Sequence, residues 1–137
     1  MMYETFEHTA DLGLRVRAAD LNVLFAEAAR GLFSIIVADL ATVRSKQSVD
    51  FEIAGDALDL LLFDWLAELL YVYETRQLLL AGFEVRLGEG RLTATAHGEP
   101  IDRDRHVLDH EIKAITYHGL KLERIGQQWV AEVIVDI

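Results

Sequence analysis

The sequence predicts an α+β domain in which two long helices pack on a mixed, largely antiparallel β-sheet. Three observations carry this. Two stretches of helical apolar periodicity stand among short segments that alternate apolar and polar residues. The strand segments cluster instead of alternating regularly with helices, which argues against a wound β-α-β sheet. The 137 residues hold one proline and no linker or low-complexity run, so a single domain and core are expected over residues 1–137.

Residues 3–8 read as a first strand. Leu12, Leu14 and Val16 alternate with Gly13, Arg15 and Arg17, the pattern of a half-buried second strand. Asp20 is placed to cap a helix whose Leu24, Ala28, Leu32 and Ile35 share a face. Val49, Phe51 and Ile53 alternate again. A second helix is expected after Gly55, with Asp56 as N-cap and Asp59 in the first turn, where the helix dipole favours an anion. Its Leu58, Leu61, Leu62, Trp65, Leu69 and Val72 form a broad apolar face.

Phe83, Val85 and Leu87 lead through Gly88-Glu89-Gly90 into residues 92–96, a hairpin signal. Pro100 opens a polar link over residues 102–109. Residues 111–117 read as a strand with Glu111, Lys113, Ile115 and Tyr117 on one side. A closing hairpin is expected from residues 120–125 and 129–137 around Gly126-Gln127-Gln128.

Apolar residues make up 52% of the chain, enough for a sizeable core and against global disorder. The formal net charge of −10 repels phosphate backbones, so strong direct nucleic-acid binding is not expected. Cations, or a basic patch on a protein, suit it better. The absence of cysteine excludes disulfides, thiolate zinc sites, iron–sulfur clusters and cysteine nucleophiles, and fits a reducing cytoplasm. No basic segment precedes an apolar run near the N-terminus, so no signal peptide is expected. Asp59, Asp64 and Glu68 interrupt the most apolar stretch, residues 58–72, so it reads as a core helix and not a membrane span.

His8-Thr9-Ala10-Asp11-Leu12-Gly13 sits at a strand junction. Its plainer reading is a turn in which Thr9 and Asp11 bond local backbone and Gly13 relieves crowding, with His8 structural. The chain closes on Ile134-Val135-Asp136-Ile137, which sets the α-carboxylate of Ile137 beside the Asp136 side chain. Neighbouring anions repel unless a cation or basic group stands between them. Hard oxygen donors of this kind suit calcium, magnesium or manganese and not zinc. If the fold brings Asp11 to the same spot, three carboxylates converge; the alternative is a solvated, frayed end. Glu111, Lys113 and Tyr117 form either a surface ladder or a polar pocket. No phosphate-binding glycine loop is present. His106 and His110 lack the metalloprotease glutamate, since Val107 follows His106.

Together these runs resemble the archease family. The matching pieces are His8-Thr9-Ala10-Asp11-Leu12-Gly13, the helix motif Asp64-Trp65-Leu66-Ala67-Glu68-Leu69-Leu70-Tyr71, the run from Glu111 through His118, and the ending Trp129 … Asp136-Ile137. The resemblance spans essentially the whole chain. It implies a compact α+β fold and an accessory role, not a catalytic one. The implied partner is the RtcB-type RNA ligase of tRNA splicing and RNA repair, whose guanylylation and repeated turnover the family promotes. It also implies a divalent metal, calcium in the first instance, held by Asp11, Asp136 and Ile137. Lys113, with His8 and Glu111, would contact the partner or its nucleotide. The alternatives are a chaperone or modulator of RNA-processing proteins, and a small metal-dependent phosphoesterase.

Overall fold

The computed structural model describes residues 2–8 and 11–137, the side chains of Glu7 and His8 excepted. β1 (Met2–His8) pairs antiparallel with β2 (Asp11–Ala18), and β2 pairs with β8 (Gln128–Asp136). The far edge of β8 carries β6 (Ala114–Ile115) at one end and β7 (Lys121–Ile125) along the rest. A second sheet has the order β3 (Gln47–Ala54), β5 (Arg91–Pro100), β4 (Leu78–Gly88). The α+β class stands, and the strands divide into two sheets whose described pairings are all antiparallel.

α1 (Leu21–Ile36) lies between the sheets, packed on β1 and β2 of one and on β4 of the other. Asp20 caps it, its Oδ1 accepting from the Val23 N–H at 3.2 Å. Leu24, Ala28, Leu32 and Ile35 are buried, and so are Phe25, Ala29, Phe33 and Ile36. The helix is therefore apolar nearly all round, as a position between two sheets requires.

α2 (Leu58–Arg76) starts one residue later than expected: Ala57 is its N-cap and no side chain caps it. Asp56 lies outside the helix because Gly55 N–H donates to Gly90 O at 3.0 Å, tying this stretch to the β4–β5 turn. Asp59 does occupy the first turn, its Oδ1 accepting from the Leu60 N–H at 2.9 Å. Trp65 is fully buried; its ring meets Phe51 edge-on at 5.3 Å between centroids, and Nε1 donates to Phe25 O at 3.0 Å. That bond satisfies the polar atom which makes a tryptophan costly in a core. α2 ends at Gln77 in the left-handed region, φ 53°, its N–H donating to Tyr73 O.

Residues 111–117 do not form the expected strand. Only Ala114 and Ile115 pair with β8. Ile112 and Ile115 both enter the core while Lys113 and Ala114 stay exposed. This three-residue spacing breaks the alternation, so Glu111, Lys113, Ile115 and Tyr117 do not share a face. The closing hairpin forms as expected, turning at Gly126 with φ 64°.

Candidate functional site

Asp11 opens β2, Asp136 closes β8, and the two are register partners. Partners across antiparallel strands point to the same face with Cβ atoms about 4.5–5.5 Å apart. That face is the outer one, since Leu14, Val16, Val133 and Val135 turn inward and are buried. The register also sets His8 of β1 opposite Asp11, and Ala114 of β6 opposite Asp136. The His8 side chain lies outside the described residues, as do Thr9 and Ala10 of the expected turn. Ile137 packs its side chain against the core.

The rest of the outer face explains why this end is built from small and acidic residues. One row along, Gly13 stands between Phe6 and Ile134, and a Cβ on Gly13 would overlap the Phe6 ring. In the following row Arg15 donates to Glu132 Oε1 at 2.8 Å and to Glu4 Oε1 at 2.9 Å, with its guanidinium 4.7 Å from the Phe6 ring centre. That arginine is committed to two other acids. Asp11 and Asp136 are opposite each other by register, and two carboxylates so placed favour a cation or basic group nearby. The side-chain oxygens of Asp11 and Asp136 are hard donors, of the kind that would suit calcium, magnesium or manganese rather than zinc. Among the described residues no three His, Cys, Asp or Glu side chains gather at one point, so water would complete the shell of an ion held here.

Lys113 and Glu111 fall in a different place. They line a cleft of about 640 Å³ with Tyr73, Glu74 and Gln77 at the end of α2, and with Arg103, Leu108 and Ile112. Burial raises the Tyr73 phenol above its ordinary pKa, Glu111 and Glu74 add to that, and Arg103 opposes it. The cleft is tied to the carboxylate pair through one bond, the Lys113 N–H donating to Asp136 O at 2.7 Å. The six candidates therefore form two groups at one end of the sheet: His8, Asp11, Asp136 and Ile137 in one, Glu111 and Lys113 in the other. Sequence reasoning missed Arg103 and Tyr73. Tyr73 ends the apolar run of α2 and Arg103 sits in the polar link, so neither carried a distinguishing signal.

His106 is structural. It is 2% exposed, its Nδ1 accepts from the Asp102 N–H at 2.9 Å, and its Nε2 lies 3.0 Å from Glu99 Oε2. The first contact leaves the proton on Nε2, which donates to the carboxylate. Glu99, 1% exposed, also accepts from Arg105 at 2.6 and 2.8 Å and from the Arg44 N–H at 2.7 Å. The Arg105 bonds above all hold its carboxyl well below the usual range.

No described helix is long and apolar enough to cross a membrane. The model of the Archease protein family (MTH1598/TM1083) matches residues 3–137. Protein archease of Methanopyrus kandleri is 43% identical over 141 residues, covering 100% of both chains. Protein archease of Pyrococcus furiosus is 36% identical over 140 residues, covering 98% of each. The solution structure of Methanobacterium thermoautotrophicum protein 1598 superposes with a TM-score of 0.88 at 33% identity, covering 98% of each chain. The crystal structure of an archease, possible chaperone, from Thermotoga maritima shares the fold at a TM-score of 0.63 and 19% identity, over 100% of this chain and 98% of that one. Fold, whole-length family match and relatives agree, and the chain belongs to the archease family.

Proposed function

We propose that the chain is a metal-binding accessory protein that activates an RtcB-type RNA ligase in the cytoplasm, promoting its guanylylation and multiple turnover in tRNA splicing and RNA repair. The observation that carries this reading is the register pairing of Asp11 with Asp136, one backbone hydrogen bond from Lys113. Asp11 and Asp136 would hold a divalent ion, calcium in the first instance, with the α-carboxylate of Ile137 as third donor. When bound, such an ion offsets charge on a nucleotide phosphate. Lys113 would present an ammonium from the adjoining cleft, which Glu111 and Arg103 also line. The backbone of His8 stands across from Asp11 by register, and His8 is proposed as a further contact to the partner or its nucleotide. A net charge of −10 suits approach to a basic, RNA-binding surface.

The test is a multiple-turnover RNA-joining assay with the cognate ligase, using wild type, Asp11→Asn and Asp136→Asn, and exposed Glu89→Gln as control. Stimulation should fall by about ten-fold or more in both site variants and hold in the control. Undiminished stimulation by both site variants rejects the reading. Appending one residue after Ile137 moves the terminal charge by about 3.3 Å and should weaken calcium binding in calorimetry. The purified protein hydrolysing a phosphodiester alone would favour the phosphoesterase reading. The chaperone reading draws on the exposed Leu60 and Tyr71 of α2, and predicts metal-independent suppression of aggregation.

A further inference from the structure

The two edges of the β3-β5-β4 sheet are treated differently. Along β4 the fold supplies a cover: α1 packs on the strand, and Asn22 Oδ1 accepts from the Leu87 N–H at 2.8 Å. Along β3 it does not. The strand pairs only with β5, and the bonds flanking it, Lys46 N–H to Gly98 O and Gly55 N–H to Gly90 O, also run to that side. Among the described residues no hydrogen bond leaves the outer edge of β3. Eight residues thus present alternate N–H and C=O groups over about 27 Å.

Beside this edge runs a groove of about 570 Å³, lined by residues 50–54 and by Asp64 and Glu68 of α2. Asp50 and Glu52 alternate onto the outward face of the sheet, where Thr95 and Arg91 meet them at 2.8 and 3.4 Å. Asp64 and Glu68, one helical turn apart, stand exposed on the other side of the groove, and no described cation pairs with either. A strand laid here would pass between two pairs of carboxylates, one for each of its faces.

That charge pattern selects the occupant. A second copy of the chain would set eight carboxylates against each other and is disfavoured. Phosphate backbones and anionic lipid are repelled for the same reason. A protein segment that is extended and carries lysine or arginine on both of its faces gains the open backbone groups and all four acids together. We propose that the β3 edge docks a basic, extended segment of a protein partner, which adds to the sheet as a fourth strand. The inference stands apart from the Asp11–Asp136 pair and does not rest on the ligase reading.

The probe is a fluorescein-labelled peptide of about ten residues, rich in Lys, Arg, Thr and Val. A control peptide of equal charge carries proline at every third position and cannot form a strand. Anisotropy at low salt should show the control binding at least about ten-fold more weakly. The double variant Asp64→Lys/Glu68→Lys, both positions exposed on α2, should weaken the probe by a similar factor. Asp136→Asn should leave it unchanged. Amide shift changes and slowed hydrogen exchange should fall on residues 47–54. Equal binding of the two peptides would reduce the effect to diffuse attraction and overturn the proposal. So would indifference to the double variant, or shift changes confined to another surface. A dimer of the wild type that the double variant dissociates would assign the edge to a second copy and overturn it as well.

Discussion

Glu99→Gln should be among the most damaging single-atom changes available to this chain. The carboxylate is 1% exposed and accepts from both Arg105 nitrogens, from His106 and from the Arg44 N–H. Glutamine keeps the volume but replaces one acceptor oxygen with a donor, so an N–H now faces an N–H. It also leaves the Arg105 guanidinium, 24% exposed, without its counter-charge. Breaking a buried pair by removing one partner costs about 3–5 kcal/mol, a large part of the roughly 5–15 kcal/mol that holds a domain of this size. The urea midpoint should fall by about 2 M at an ordinary slope. The sign with pH follows from the lowered carboxyl pKa. The stabilisation is complete above about pH 4.3, the unfolded glutamate value, and is lost as pH falls toward the folded one. The gap between wild type and variant should therefore close on acidification. Urea melts at neutral and acidic pH read both effects. A neutral-pH loss below about 1 kcal/mol, the level of an exposed pair, would refute the reasoning.

Asp136→Asn removes one of two like charges held opposite each other. Without metal it should stabilise slightly, by roughly 0.2–1 kcal/mol; if the pair holds calcium as proposed, the ion should raise the melting temperature of the wild type and not of the variant, and calorimetric scans with and without calcium separate the two. Gly98→Ala would drive a Cβ into the Leu79 carbonyl oxygen, where β5 passes β4 next to the register shift at Leu80/Gly82. Backbone cannot yield there as a flexible side chain would, so this variant should lose most of its cooperative thermal transition by circular dichroism.

What could be read from sequence was what short-range chemistry decides. Asp20 caps α1 because its side chain reaches an N–H three residues on. Gly90 and Gly126 turn their hairpins because each needs positive φ. Asp56 has the same capping chemistry as Asp20, but a backbone bond from Gly55 to a hairpin far along the chain holds it out of the helix. Residues 111–117 look like a strand by composition. Their path is set instead by where Ile112 and Ile115 find the core and where Asp136 and Ile134 offer carbonyls. Alternation at both ends of the chain indicated two strands that could meet at Asp11 and Asp136, but only the register shows that they do. The Glu99–Arg105–His106 cluster stayed hidden because its carboxylate ends a strand and its arginine and histidine lie in a polar link, a pattern shared with any solvated loop.

The pairing of β2 with β8 has a consequence for how the molecule is made. Arg15 and Glu132, bonded across those strands, are 117 residues apart, and a ribosome adds only about 5–20 residues each second. During synthesis β1, β2 and α1 emerge early, while one flank of β2 waits for the last segment. Non-local closure of this kind gives slow folding, because loop entropy is lost before the contacts that reward it form. Leu14 and Val16 then line an unsatisfied edge for several seconds, which makes the nascent hairpin, more than the finished protein, the stage most prone to aggregate.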